Sequence, residues 1–123
     1  MIAFVAFGLG LLTYYWYAEL QKPHFVPDLA RIDGYAVSSD GRELTVFGTV
    51  GAGDLLDVPV ATEETDRVVV KLPSFRFVPA NGGFKNLAAY FVQGRVALRD
   101  PLGTRRVVDA TTGKAIRSSS PPP

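Results

Sequence analysis

Met1 to Ala18 (MIAFVAFGLGLLTYYWYA) carries no charged side chain, and 15 of its 18 residues are apolar. All 13 Lys and Arg and all 12 Asp and Glu fall between Glu19 and Arg117. A run this long and this apolar has no polar face to turn toward water. As an α-helix, eighteen residues at 1.5 Å each span about 27 Å, close to the ~30 Å hydrocarbon core of a bilayer. Tyr14, Tyr15, Trp16 and Tyr17 cluster at one end. Amphipathic rings favour the headgroup level, so these four form the expected membrane-interface belt. Glu19 and Lys22 follow at once, and Pro23 ends the helix. The expectation is a single transmembrane helix over residues 1–20.

Two other uses of such a run fit less well. A cleaved signal peptide needs a basic start and small residues at the cleavage site. Here Ile2 follows Met1 directly, and cleavage after Ala18 would place Trp16 where a small residue is wanted. A buried core helix would have to be hidden on every side by only about a hundred further residues, too few for the purpose. Orientation is set by two opposed cues. Lys22 and Arg31, taken literally, keep the C-terminal side in the cytoplasm. A very short N-terminus followed by a β-rich domain has the look of an envelope protein held by its export signal. The expected location is therefore the cell membrane, single-pass, with the β domain outside the cytoplasm.

At 123 residues there is room for one further domain, and the absence of cysteine excludes a disulfide framework, a cysteine-ligated metal site and a lipoprotein anchor. Residues 21–33 (QKPHFVPDLARID) read as a juxtamembrane connector kept extended by Pro23 and Pro27, with Phe25, Val26 and Leu29 packing it onto something. From Gly34 the apolar period becomes strand-like. Fourteen valines follow Ala18, against nine leucines and two isoleucines, and β-branching favours strands.

The expected strands are Tyr35 to Val37 and Glu43 to Val50 around a two-residue Asp40-Gly41 turn, then Asp57 to Glu63 and Arg67 to Leu72 around Glu64-Thr65-Asp66. Pro59 marks the first strand of the second pair as edge or bulged. Pro73 to Asn86 reads as a long connection. Leu87 to Leu98 reads as one long strand, or a short helical turn followed by a strand, with a bulge at Gly94, and Arg105 to Asp109 with Lys114 to Ile116 as a last hairpin. Residues 117–123 (RSSSPPP) read as a disordered Ser/Pro tail. The fold class is thus mainly β: an N-terminal transmembrane helix, then a small antiparallel β-sandwich or barrel over 34–116.

The stretch from Val96 to Ile116 (VALRDPLGTRRVVDATTGKAI) carries Pro101, Leu102, Gly103, Arg105, Val107, Val108, Asp109, Thr112, Gly113 and Ile116 in an ordered pattern. Ser39-Asp40-Gly41 with Leu44, and Glu63 with Arg67 to Val70, fit its earlier part. Over residues 34–116 the chain resembles small, uncharacterised envelope β domains of actinobacteria. The resemblance implies an envelope location and a β fold and brings no activity with it. Many such domains have a cysteine pair, which this chain lacks, and Pro73 to Asn86 looks like an insertion.

Catalytic chemistry is not signalled. His24 is the one histidine, and without cysteine it forms neither a metal cluster nor a nucleophile pair. No Gly-x-Ser-x-Gly elbow and no phosphate-binding glycine loop occurs. Asp54 and Asp57, or Glu63, Glu64 and Asp66, lack calcium-loop spacing and read as turn and surface charge. The expectation is a non-enzyme with no cofactor and no metal, and with no footprint for nucleic acid.

Charge is ordered along the chain. Residues 19–66 hold ten acids and three bases, and residues 67–117 hold ten bases and two acids. Either the fold interleaves the two halves as cross-strand pairs, or it keeps a dipole. Phe75, Phe77, Val78 and Phe84 lie in the long connection. They are the candidate partner-binding loop, with Phe75 and Phe77 on one face of an extended segment. Together these features read as a membrane-anchored binding or accessory module of a larger membrane or envelope assembly, with a protein partner. The alternative is a domain handling envelope lipid or polysaccharide, as ligand carrier or small hydrolase.

Overall fold

A computed structural model describes residues 22–80 and 88–119. The expected transmembrane helix and its belt of Tyr14, Tyr15, Trp16 and Tyr17 lie outside the described residues, as does Phe84. Among the described residues no helix is long and apolar enough to cross a membrane. The described fold is mainly β, with nine strands in three small sheets: β1 (His24–Leu29), β2 (Arg31–Val37), β3 (Glu43–Gly51), β4 (Leu55–Leu56), β5 (Val60–Glu63), β6 (Arg67–Lys71), β7 (Pro73–Val78), β8 (Ala89–Ala97) and β9 (Arg106–Asp109). The first sheet has the order β1-β7-β4, the second β2-β3-β8 and the third β5-β6-β9.

The core lies between the second and third sheets, an arrangement consistent with a β-sandwich. Alternation along β3 turns Leu44 and Val46 inward, and alternation along β6 turns Val68 and Val70 inward. These four are fully buried and join Leu72, Leu98, Leu102 and Val107 in one cluster. Gly48 continues the inward row of β3. A Cβ there would stand 2.5 Å from Leu72 Cδ2 and 2.6 Å from the Arg31 carbonyl oxygen. Leu72 thus packs directly on the β3 backbone, and no residue larger than glycine fits beneath it.

Five of the six strand pairs are antiparallel, but β6 and β9 run parallel, with Val68 opposite Val107 and Val69 opposite Val108. The expected last hairpin forms as a short antiparallel pairing: Val108 bridges Ala115, the Asp109 N–H donates to the Lys114 carbonyl at 2.9 Å, and the Ile116 N–H donates to the Val107 carbonyl at 2.8 Å. The all-antiparallel expectation fails only on the other side of β9, which takes its longer ladder from β6.

Other differences have local causes. The strands end at Val37 and resume at Glu43 as expected, but the connection around Asp40-Gly41 is not a two-residue turn, because the Ser38 and Asp40 side chains supply hydrogen bonds of their own. Ser38 Oγ donates to Asp40 Oδ1 at 2.6 Å, and the Arg42 N–H donates to the same oxygen at 3.0 Å. There is no bulge at Gly94, where the ladder to β3 is continuous. Pro59, expected within a strand, instead separates β4 from β5 and fills the space that a side chain on Gly94 would take. The register shift falls at Asp33, between Ile32 and Gly34. The tail expected to be disordered runs beside β2 as far as Ser119. Arg117 accepts the Tyr35 N–H at 3.1 Å, and the Ser119 N–H donates to Tyr35 at 2.8 Å.

The acidic and basic halves interleave. Four of the six ladders (β1–β7, β3–β8, β4–β7 and β5–β6) join a strand from residues 19–66 to one from 67–117. No register in these ladders sets an acid directly opposite a base; the two halves meet in charge outside them, as in the pair of Arg105 with Glu63.

If Leu72 on Gly48 fixes the sheet spacing, Gly48→Ala lowers the unfolding free energy by about 1–3 kcal/mol through overpacking. Leu72→Ala lowers it by about 2–5 kcal/mol through the cavity it leaves. Urea titration of the full chain in detergent micelles, followed by circular dichroism, measures both. Losses within the roughly 0.5 kcal/mol typical of surface changes would contradict the packing described.

Candidate docking face

The two stretches read as connectors, 21–33 and 73–86, are where the structure departs furthest from the sequence pattern. His24–Leu29 and Pro73–Val78 are strands, and they pair with each other along their whole length. The ladder puts Phe25 opposite Phe77, Pro27 opposite Phe75, and Leu29 opposite Pro73. From the other side of β7, Leu55 lies opposite Phe75. Residues directly opposite in an antiparallel pair share a face. One face of the first sheet therefore consists of Phe25, Pro27, Leu29, Leu55, Pro73, Phe75 and Phe77, with no polar side chain among them. The rings of Phe25 and Phe77 are 5.7 Å apart and tilted by 56°, a spacing within the favourable range for aromatic pairs.

This face is turned to solvent. Phe25 is 46% exposed, Leu29 43%, Leu55 52% and Phe75 37%. The opposite face of the same sheet is inner at one end, where Ser74 is buried and Leu56 packs on the main core, and exposed at His24, Asp28 and Arg76. An uncovered apolar sheet face is unusual on a monomer and marks an interaction surface. Of the candidate loop residues, Phe75 and Phe77 share this face. Val78 projects to the other side of β7, in register with His24. The sequence reading had Phe25 and Leu29, with Val26, packing onto something, but missed the strand that sets them on this face, and missed Pro27 and Leu55 altogether. The spacing of two across Phe25, Pro27 and Leu29 was present in the sequence, but the prolines at 23 and 27 made the segment read as a connector. Pro27 is compatible with a strand because β1 is an edge of its sheet.

The face is held in place from behind. Asp54 sits in the loop between β3 and β4. Its Oδ2 accepts the Gly51 N–H at 2.9 Å, and its Oδ1 accepts the Phe77 N–H at 2.8 Å. The carboxylate therefore ties β7 to the end of β3. At the junctions between sheets, the Ala30 N–H donates to the Leu72 carbonyl at 2.8 Å. Asp28, Arg31, Thr49, Asp54 and Ser74 line a cleft of about 300 Å³ between the first and second sheets. Its two carboxylates are engaged with backbone: Asp54 as above, and Asp28 Oδ1 accepting from the Leu29 N–H at 2.8 Å. His24 is exposed, and its Nδ1 donates to the Lys22 carbonyl at 2.9 Å.

The opposite end of β3 carries a polar clasp. Glu63 and Arg105 form a mostly buried pair, 12% and 13% exposed. Glu63 also accepts the backbone N–H groups of Arg99 at 2.8 Å and Asp100 at 3.1 Å. Arg105 donates to the carbonyls of Leu102, Asp100 and Pro101. The Arg99 N–H bond, helped by Asp100 and Arg105, holds the Glu63 carboxyl below its ordinary value of 4.5. The Ser38 hydroxyl and the Arg42 N–H likewise hold Asp40 below 3.8. These carboxylates organise loops.

No protein-family model, characterised protein or solved structure matches this chain.

Two results follow from this geometry. A carboxylate whose folded value is depressed adds stability that is present above its unfolded value and disappears as pH falls through the folded one. Thermal stability should accordingly be level from pH 7 to about pH 5 and fall below about pH 4.5. Glu63→Gln should flatten that fall while costing about 1–3 kcal/mol at pH 7, since it weakens several mostly buried hydrogen bonds. Scanning calorimetry of both forms across pH reads this out, and identical pH profiles would refute the clasp. Leu55→Ser, by contrast, should change stability by no more than about 0.5 kcal/mol, as expected of a solvent-facing residue. A larger loss in the same calorimetry would place Leu55 in the core.

Proposed function

We propose that this chain is a non-catalytic accessory module, held at a cell membrane by its first eighteen residues, with its β domain outside the cytoplasm. The observation that carries this reading is the uncovered apolar face of the first sheet. That face is built on the strand that begins at His24, just beyond the uncharged run. A soluble, free-standing domain has no use for such a face, whereas a domain that docks onto a membrane assembly does. Further support comes from the engagement of carboxylates in loop and strand anchoring: Asp54, Glu63 and Asp40 each hold backbone amides. The resemblance of residues 34–116 to actinobacterial envelope domains agrees with the location. In this role the first sheet fixes the module at the membrane, and the polar loops at the far end of β3 meet the protein partner.

The anchor and its orientation are tested on the full chain in cells. The protein should stay in the membrane pellet after alkaline carbonate extraction. A phosphatase active only outside the cytoplasm should be active when fused after Pro123. Release by carbonate would refute the anchor. A silent phosphatase together with an active cytoplasmic reporter at the same position would reverse the orientation.

A further inference from the structure

The outer face of the first sheet has an occupant that its own chemistry and its tether identify. We propose that Phe25, Pro27, Leu29, Leu55, Phe75 and Phe77 dock onto the bilayer itself, at the boundary between headgroups and acyl chains, so that the domain lies against the membrane. This inference rests on the reading of residues 1–18 as a membrane segment.

Two observations select lipid over protein. The first is reach. Phe25 is seven residues beyond Ala18, and a fully extended chain covers at most about 3.3–3.6 Å per residue, so Phe25 cannot be more than about 25 Å from the end of the uncharged run. Strand β1 begins within that path, at His24. The face is thus delivered to the interface by its own tether, at high effective concentration.

The second is composition. A protein–protein interface carries a polar rim and on the order of ten hydrogen bonds. This face offers none from its side chains: the seven residues that the register places on it are phenylalanine, leucine and proline. Hydrocarbon and aromatic groups with nothing to hydrogen-bond suit an acyl boundary, where partial insertion of apolar side chains is what binds interfacial segments. The two free edges of the sheet do not favour a second copy by strand addition. Pro27 on β1 has no N–H to give, and β4 is only two residues long.

The chain has no cysteine, so Leu55→Cys and Thr104→Cys each supply a single labelling position. Leu55 is on the face, and Thr104 is in the exposed loop at the far end of β3. Each full-length variant carries an environment-sensitive fluorophore and is reconstituted into nanodiscs of phosphatidylcholine and phosphatidylglycerol at 3:1. Lipid contact at Leu55 should shift its emission to the blue. A doxyl-labelled lipid should quench it several-fold more strongly than the label at Thr104, while aqueous iodide should quench it less. Phe75→Asp, placed beside the Leu55 label, should abolish that difference.

If the chain co-floats with the discs after carbonate treatment but the Leu55 label is as open to iodide as the one at Thr104, the docking proposal is overturned and the anchor stands. If the label is shielded from both iodide and doxyl lipid, protein covers the face, and the proposal is equally overturned. If the chain does not co-float, the anchor reading fails and takes the proposal with it.

Discussion

Leu72 on the bare backbone of Gly48 is the contact on which the rest of the structure depends. It lies between the end of β6 and the start of β7, where the chain leaves the third sheet for the first. Its side chain closes the core between the second and third sheets, and its carbonyl accepts the Ala30 N–H at the turn from β1 to β2. One residue thus sets the spacing of the two core sheets and fixes where the first sheet stands against them. The glycine beneath it is required because both a leucine methyl and a carbonyl oxygen occupy the position of its missing Cβ.

That placement explains the division of labour within the domain. At one end of β3, Asp54 and the Leu72 junction hold a sheet whose inner face feeds the core and whose outer face is hydrocarbon. At the other end, Glu63 and Arg105 clasp the loops at 64–66 and 99–105, and hydrogen bonds from Leu98 to Arg42 and from Leu102 to Gly41 tie the loop at 38–42 to them. The carboxylates of Asp40, Asp54 and Glu63 face backbone amides. Four of the six ladders set a strand of the acidic first half beside one of the basic second half, so the charge order of the sequence is not kept as two separate sheets.

Much of this was readable in the sequence wherever the signal was local. β3, β6 and β8 were expected within a residue or two of their observed limits, because alternation and β-branching are properties of a single strand. The face shared by Phe75 and Phe77 followed from spacing alone. What escaped was pairing over distance. His24–Leu29 and Pro73–Val78 each look like proline-marked connectors. Only their mutual register, across some fifty residues, makes them strands and adds Phe25 and Leu29 to the surface. The parallel pair of β6 and β9 escaped for the same reason: turn chemistry around Thr111-Thr112-Gly113 gave the local partner of β9, which it keeps, but not the distant one on its other side.

The sequence by itself determined the mainly β class, the positions of most strands and turns, and the separation of an uncharged run from a charged remainder. Those are consequences of side-chain period, backbone preference and solubility, which act within a few residues. The tertiary structure alone decided which strands lie together, that the charged halves interleave, and that a set of scattered apolar residues forms one solvent-facing sheet face. Ladder register and close packing, as at Gly48, are relations between distant segments, and no local pattern encodes them.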